Sequence, residues 1–148
     1  MEIQSDFRDL LELFNKNRVK YIIVGGYALA FHGAPRYTGD LDIFVNANKD
    51  NAHRILKALD AFGFGSVGLS IQDFIEPNKV IQLGYPPVRI DIVTSISGVS
   101  WVEAYQSRVA GKYGDITVYY IGRKQFVINK RSVGRKKDLA DLEALSEE

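Results

Sequence analysis

The 148 residues include no cysteine, only four prolines, one methionine and one tryptophan. Without thiols there is no disulfide framework and no thiolate metal site, so an apolar core has to hold the fold. The absence of cysteine fits a reducing compartment, and a cytoplasmic location is the expectation. The first residues, Met1-Glu2-Ile3-Gln4-Ser5-Asp6, lack the basic and apolar regions of a signal peptide. No apolar run approaches the roughly 20 residues needed to cross a bilayer, so no membrane partner is expected. A charge excess of one sign is missing too: 19 Lys and Arg stand against 18 Asp and Glu, a net charge of +1. Such a chain has no global field to draw in a polyanion.

What is present is the composition of an ordinary globular protein, 46% hydrophobic and 25% charged. A single domain over 1–148 is expected, with a C-terminal helical segment over about 123–148. The apolar spacing of Phe7, Leu10, Leu11 and Phe14 predicts a helix capped by Ser5. The β-branched and aromatic run 19–24 predicts a buried strand, broken by Gly25-Gly26. A short helix over 27–31, a strand over 41–45 and a helix capped by Asn48 or Asp50 follow, the last stopped by Gly63. Segments 79–83 and 88–93 read as a hairpin, 100–107 as a short helix, and 108–112 with 115–120 as a second hairpin. Two helices, 123–133 and 136–145, close the chain around Gly134, with Leu139, Leu142 and Leu145 as the buried face of the second. The fold class is α+β, a small mixed sheet flanked by helices, without the regular alternation of a doubly wound fold.

The chemistry concentrates at three places. Gly25 and Gly26 stand between a strand and a helix, where unpaired N–H groups and the helix dipole favour phosphate. A tight turn that needs a positive φ explains the pair equally well. Asp40 and Asp42 sit at i and i+2 of a strand, on one face and about 6.5–7 Å apart, with Leu41 and Ile43 pointing to the buried side. Two such carboxylates repel each other unless a cation lies between them, and Mg²⁺ suits, because it takes oxygen ligands and keeps positions for water and phosphate. Asp91 occupies a similar apolar run in which Ile90 and Ile92 should pack inward. If its strand lies beside 40–45, the three carboxylates converge and two metal ions can bind, with Asp91 as general base or as ligand to the metal that activates the attacking hydroxyl. Alone, Asp91 could equally pair with Arg89.

Val24-Gly25-Gly26, a short helix, Asp40-Leu41-Asp42 and a later Asp91 together resemble the nucleotidyltransferase superfamily related to DNA polymerase beta. The run 36–43, Arg-Tyr-Thr-Gly-Asp-Leu-Asp-Ile, is similar to a form found in its abortive-infection-type (AbiEii/AbiGii-like) toxin branch. The tail 129–142, with a Lys followed by an Arg-Lys-Asp-like segment and a second Asp, resembles that branch as well. The resemblance implies a nucleotidyltransferase-like fold and NMP transfer from an NTP such as ATP to an acceptor hydroxyl, with tRNA or another RNA 3′ end as acceptor. It implies Asp40, Asp42 and Asp91 as catalytic metal ligands. Gly25, Gly26, Arg36, Thr38, Lys130 and Asp138 become nucleotide-binding residues, Asp138 by orienting Lys130 or the base. A protein antitoxin is an implied partner. The chain departs from the pattern where many members carry Ser after the first glycine: here Gly26 and Tyr27 follow Gly25, so one hydroxyl contact to phosphate is missing.

Two other function classes fit the residues. One is a non-catalytic nucleotide-binding or protein-interaction module on the same fold. The other is nucleic-acid binding through Arg123, Lys124, Lys130, Arg131, Arg135, Lys136 and Lys137, which fall within fifteen residues. His32 is expected to cap or pack. Core packing is the expectation for most of Tyr85, Trp101, Tyr105, Tyr119 and Tyr120, although a base could stack on any of them.

Overall fold

The computed structural model describes residues 3–34, 39–65 and 67–146. Arg36 and Thr38, expected at the nucleotide, lie outside the described residues.

Helix α1, Ser5–Lys16, buries Phe7, Leu10, Leu11 and Phe14 on the face their spacing predicts. Its cap is Gln4 rather than Ser5: the Gln4 side chain accepts from the Asp6 N–H, and Ser5 is already helical. The Gln4 backbone N–H is meanwhile held by the Tyr113 hydroxyl at 2.9 Å, which fixes the extended residue one place earlier than expected.

Strand β1, Tyr21–Val24, is shorter than the apolar run suggested. The Asn51 side chain takes over the Lys20 backbone N–H, accepting from it at 2.8 Å, and shares the Lys20 carbonyl, donating to it at 3.0 Å, with the Asn46 backbone N–H at 3.3 Å. Helix α2, Gly25–Phe31, starts directly after β1, and both glycines are its first residues rather than a loop before it. Strand β2 is Asp40–Val45. Helix α3, Lys49–Leu59, is capped by Asn48 and runs into one wide turn, Asp60–Phe64, where Gly63 takes a φ of 111°.

A short helix α4, Ile71–Ile75, leads to the hairpin of β3, Val80–Tyr85, and β4, Val88–Val93. Helix α5, Trp101–Gln106, carries a Ser100/Glu103 capping box, in which each side chain holds the other's backbone N–H. The second hairpin joins β5, Val109–Tyr113, to β6, Ile116–Tyr120. Helix α6, Arg123–Val133, ends at Gly134 in the left-handed region, φ 68°, and α7, Lys136–Ala144, follows.

All six strands form one mixed sheet, in the order β3-β4-β2-β1-β6-β5. β2 is antiparallel to β1 and parallel to β4, and β1 is parallel to β6. Alternation along β2 sends Leu41, Ile43 and Val45 to one face, all fully buried, and Asp40, Asp42 and Phe44 to the other. The Leu41 face also carries Tyr21, whose ring meets Phe14 of α1 at 5.7 Å. On the aspartate face Phe44 packs edge-on against Trp101 of α5, at 5.2 Å. Among the described residues, no helix is long and apolar enough to cross a membrane.

One helical face differs from expectation. Leu142 and Leu145 of the C-terminal segment are buried, but Leu139 is 52% exposed. The buried stripe runs 138, 141, 142, 145, an i, i+3, i+4, i+7 pattern that places two aspartates inward and turns Leu139 to solvent.

Candidate active site

Sheet register gathers the predicted carboxylates. Asp42 on β2 and Asp91 on β4 are directly opposed partners of adjacent parallel strands, and Asp40 opposes Arg89 two pairs earlier, on the same face. Val24, the last residue of β1, opposes Asp42 from the other side. The first turn of α2 therefore starts beside the carboxylates, as an NTP would require if its phosphates met backbone N–H groups there.

Gly25 is needed for a reason the sequence does not reveal. Its φ is 67°, and a Cβ at this position would collide with Oδ2 of Asp42. The missing side chain makes room for the aspartate. Gly26 is buried inside the first turn.

The carboxylates differ in environment. Asp91 is buried, while Asp40 and Asp42 are partly exposed. Burial, then the charges of Asp91 and Asp40, push the Asp42 carboxyl up to about 6, against the opposing pull of Lys130 and Lys137. Arg89 enters the cluster from its own strand. It donates to Asp91 through Nε at 3.1 Å and Nη2 at 2.9 Å, and Nη2 lies 3.6 Å from Asp40 Oδ2. Sequence reasoning offered Arg89 as an alternative partner for Asp91; the guanidinium in fact joins the carboxylate set.

No group of three or more His, Asp or Glu side chains among the described residues is gathered closely enough to hold a metal ion. The donor set itself suits Mg²⁺: three acceptor-only carboxylates on one sheet face, with Asp42 raised by burial first and then by the charges of Asp91 and Asp40. Arg89 is bonded to Asp91 and close to Asp40, two of these three carboxylates.

A second ionic group lies between α6 and α7. Lys130 is 7% exposed and its ammonium rests 3.2 Å from both Asp138 Oδ1 and Asp141 Oδ2. Its Nζ also lies 5.4 Å from the centre of the Phe126 ring, over the apolar residue one turn earlier. Asp138, fully buried, accepts from Arg135 Nε at 2.7 Å and from the Arg135 backbone N–H at 3.2 Å. Burial alone would raise the Asp138 carboxyl, but the bonds from Arg135 and Lys130 outweigh it and hold it at about 2. Asp138 thus fixes Lys130, and the ammonium is paired with carboxylates while still contributing positive potential at Asp42. Arg135 was read from sequence as part of the basic segment and Asp141 as the second Asp of the tail motif; their ion pairs with Asp138 and Lys130 were not foreseen, and the i, i+3 spacing of Asp138 and Asp141 was the available signal. The other cations of this segment, Arg123, Lys124, Arg131, Arg135, Lys136 and Lys137, are exposed.

His32 has a packing role: Nε2 lies 2.7 Å from the Ile121 carbonyl oxygen. Tyr120 stacks on Phe31 at 4.1 Å, Trp101 lies against Phe44 and Tyr105, and Tyr85 is 85% exposed at the first hairpin.

Residues 1–146 match the model of a family described as "Nucleotidyltransferase of unknown function (DUF6036)". The chain belongs to this nucleotidyltransferase family. No curated protein matches it. Among solved structures it is similar to a candidate nucleotidyltransferase, TM1012 from Thermotoga maritima, with a TM-score of 0.63 at 13% identity over 96% of this chain and 93% of that one. It is also similar to the lincosamide antibiotic adenylyltransferase LnuA in its lincomycin-bound structure, with a TM-score of 0.58 at 14% identity over 97% and 96% of the two chains. A third likeness, to JHP933 from Helicobacter pylori, has a TM-score of 0.50 at 12% identity and covers 96% of this chain and 63% of that one. At these identities the structural neighbours establish a shared fold, and the six-stranded mixed sheet with flanking helices is that of a nucleotidyltransferase.

Proposed function

We propose that this nucleotidyltransferase, acting as a single domain with a C-terminal helical segment, moves an NMP from an NTP to an acceptor hydroxyl in a Mg²⁺-dependent reaction. The observation that carries the reading is the pairing of Asp42 with Asp91 on adjacent strands, beside Asp40 and the first turn of α2. Asp40, Asp42 and Asp91 would hold the metal, which when bound neutralises phosphate charge and lowers the pKa of a coordinated hydroxyl. The chain's own residues do the rest. Asp91 accepts the proton of the acceptor hydroxyl, whose oxygen bonds to the α-phosphorus as the bond to the bridging oxygen breaks and pyrophosphate leaves. The α2 N–H groups at Gly25 and Gly26, with Arg36 and Thr38, hold the triphosphate. Lys130, fixed by Asp138, adds positive potential on the same side.

For the acceptor we take an RNA 3′ end, tRNA first, on the likeness of segments 36–43 and 129–142 to the toxin branch; an antitoxin partner belongs to the same reading. A small-molecule hydroxyl is the second reading, favoured by the match to LnuA over nearly the whole of both chains. The deciding experiment incubates each α-labelled NTP with Mg²⁺ and, separately, cellular RNA, cellular protein and a panel of hydroxylated small molecules. Wild type and Asp42→Ala are compared. Label on RNA from wild type alone is the expected result, and label on a small molecule establishes the second reading. Incorporation by Asp42→Ala at the wild-type rate would overturn the catalytic assignment. NTP binding without incorporation anywhere would make the protein a nucleotide-binding module.

A further inference from the structure

The end of the sheet opposite the aspartates carries a cavity of about 480 Å³, lined by Asn15, Arg18, Lys20, Arg54, Tyr105 and Tyr119 among others and by no carboxylate. Lys20 immediately precedes β1, whose last residue Val24 opposes Asp42, so the two places are about 13 Å apart along the strand. Arg108 completes the group: its Cζ lies 3.7 Å from the centre of the Tyr105 ring and 5.2 Å from that of Tyr119, and Nη1 donates to the Tyr105 carbonyl at 2.7 Å. Lys20 Nζ lies 5.1 Å from the centre of the Tyr105 ring.

Charge sets this cavity apart. Among the described residues, none of Arg18, Lys20, Arg54 and Arg108 enters an ion pair, whereas Arg8, Lys79, Arg89, Lys130 and Arg135 all do. Four cations from three separate segments, the α1–β1 connection, α3 and the α5–β5 connection, converge with no carboxylate in the cavity lining, in a chain whose net charge is only +1. Helix dipoles account for Arg18, after α1, and for Arg108, after α5; they do not account for Arg54 within α3 or Lys20 at the start of a strand.

Arg18 gives an independent sign. It takes a φ of 56° just beyond α1, in the left-handed region where glycine or asparagine is the easier residue. The chain keeps a long cation there at a conformational cost.

We infer that this cavity is a docking site for the backbone of single-stranded RNA, its phosphates held by Arg18, Lys20 and Arg54 and its bases meeting the Tyr105–Arg108–Tyr119 group. Unpaired cations interleaved with aromatic rings are the recognition chemistry of single-stranded nucleic acid, and arginine planes and tyrosine rings both accept stacked bases. The inference deepens the RNA-acceptor reading by giving the acceptor a second hold remote from the carboxylates. It is tested without NTP, so its outcome is separable from that of catalysis.

The test is fluorescence anisotropy of a labelled single-stranded RNA of about 12 nucleotides, a length matched to one such site. The triple reversal Arg18→Glu/Lys20→Glu/Arg54→Glu is expected to weaken binding by more than about tenfold and to flatten its salt dependence. Reversal of Lys124 and Lys136 on α6 and α7 should leave binding unchanged. A second variant guards against misfolding: Arg18→Gly relieves the backbone, so its melting temperature should hold or rise while RNA affinity falls. Wild type that does not bind the RNA, or Arg18→Gly and the triple variant that bind it like wild type, would overturn the inference. So would displacement of the RNA by ATP at comparable concentration in an Asp42→Asn background, which would make the cavity a mononucleotide site. Retained RNA binding with absent NMP transfer would count against the catalytic reading alone.

Discussion

The carboxylate of Asp42 occupies the space that a side chain on residue 25 would need. Gly25→Ala therefore combines a left-handed backbone with a direct collision, and the aspartate has to move. We expect a loss of stability on the order of 1–3 kcal/mol and a fall in turnover of at least about tenfold. Urea unfolding and pyrophosphate release measure the two. A Gly25→Ala protein with wild-type turnover would show that Asp42 tolerates displacement.

Asp42 is held at about 6 by burial and by its neighbouring carboxylates, above its ordinary 3.8. The folded state therefore binds a proton that the unfolded state has already released between those values. This contribution to stability is complete below about pH 4 and is lost as the pH rises through about 6. In metal-free buffer Asp42→Asn should melt higher than wild type at pH 7.5, by about 1–3 kcal/mol of stability, and the advantage should vanish near pH 4. The same substitution should abolish NMP transfer. Thermal melts across pH decide this; an Asn variant no more stable at neutral pH would mean that the cluster is already neutralised.

Arg89 pairs with Asp91 and approaches Asp40, the groups proposed to take the metal. Removing it should therefore favour the cation. Arg89→Gln is expected to bind Mg²⁺ or Mn²⁺ several-fold more tightly by calorimetry, while its metal-free form loses stability because buried Asp91 loses the guanidinium bonded to it. Unchanged metal affinity would show that Arg89 does not compete for these carboxylates.

Asp138 behaves in the opposite sense to Asp42. Its carboxyl, held at about 2, lies below the value of about 3.9 expected in the unfolded chain. Its stabilising contribution, on the order of 2 kcal/mol, is complete above about pH 4 and is lost as the pH falls toward 2. Asp138→Asn should flatten that acid limb of the stability curve. Asp138→Ala should cost about 3–5 kcal/mol at neutral pH, because Lys130 remains buried with one of its two carboxylate partners gone. An acid limb identical in wild type and Asp138→Asn would remove this carboxylate from the account.

The order of elements and the convergence of the three aspartates were legible because period-two alternation and β-branched runs act locally. Ile90 and Ile92 could pack inward only if Asp91 shared a face with Arg89, and neighbouring strands then aligned Asp91 with Asp42. What could not be read depended on side chains from distant segments. Lys20 falls outside β1, where the Asn51 side chain from α3 bonds both its backbone N–H and its carbonyl. Leu139 was assigned to the core by its apolarity, but α7 turns inward the two aspartates that neutralise Lys130. Arg18 with Lys20, Arg54 and Arg108 fall in three separate stretches of sequence with no motif in common, and only the tertiary fold makes them neighbours.

Arg123 fastens three remote parts of the chain: Nη1 donates to the His32 carbonyl at 3.2 Å and Nη2 to the Leu145 carbonyl at 2.7 Å. During translation the chain emerges from its N-terminus, so all six strands leave the ribosome before Leu145 can close that clasp. Asp138 and Asp141 also follow the last strand, so until they emerge Lys130 lacks both carboxylate partners, and the positive potential it contributes at Asp42 has no fixed position. The ion pairs between α6 and α7 are therefore expected to close only after the sheet is complete.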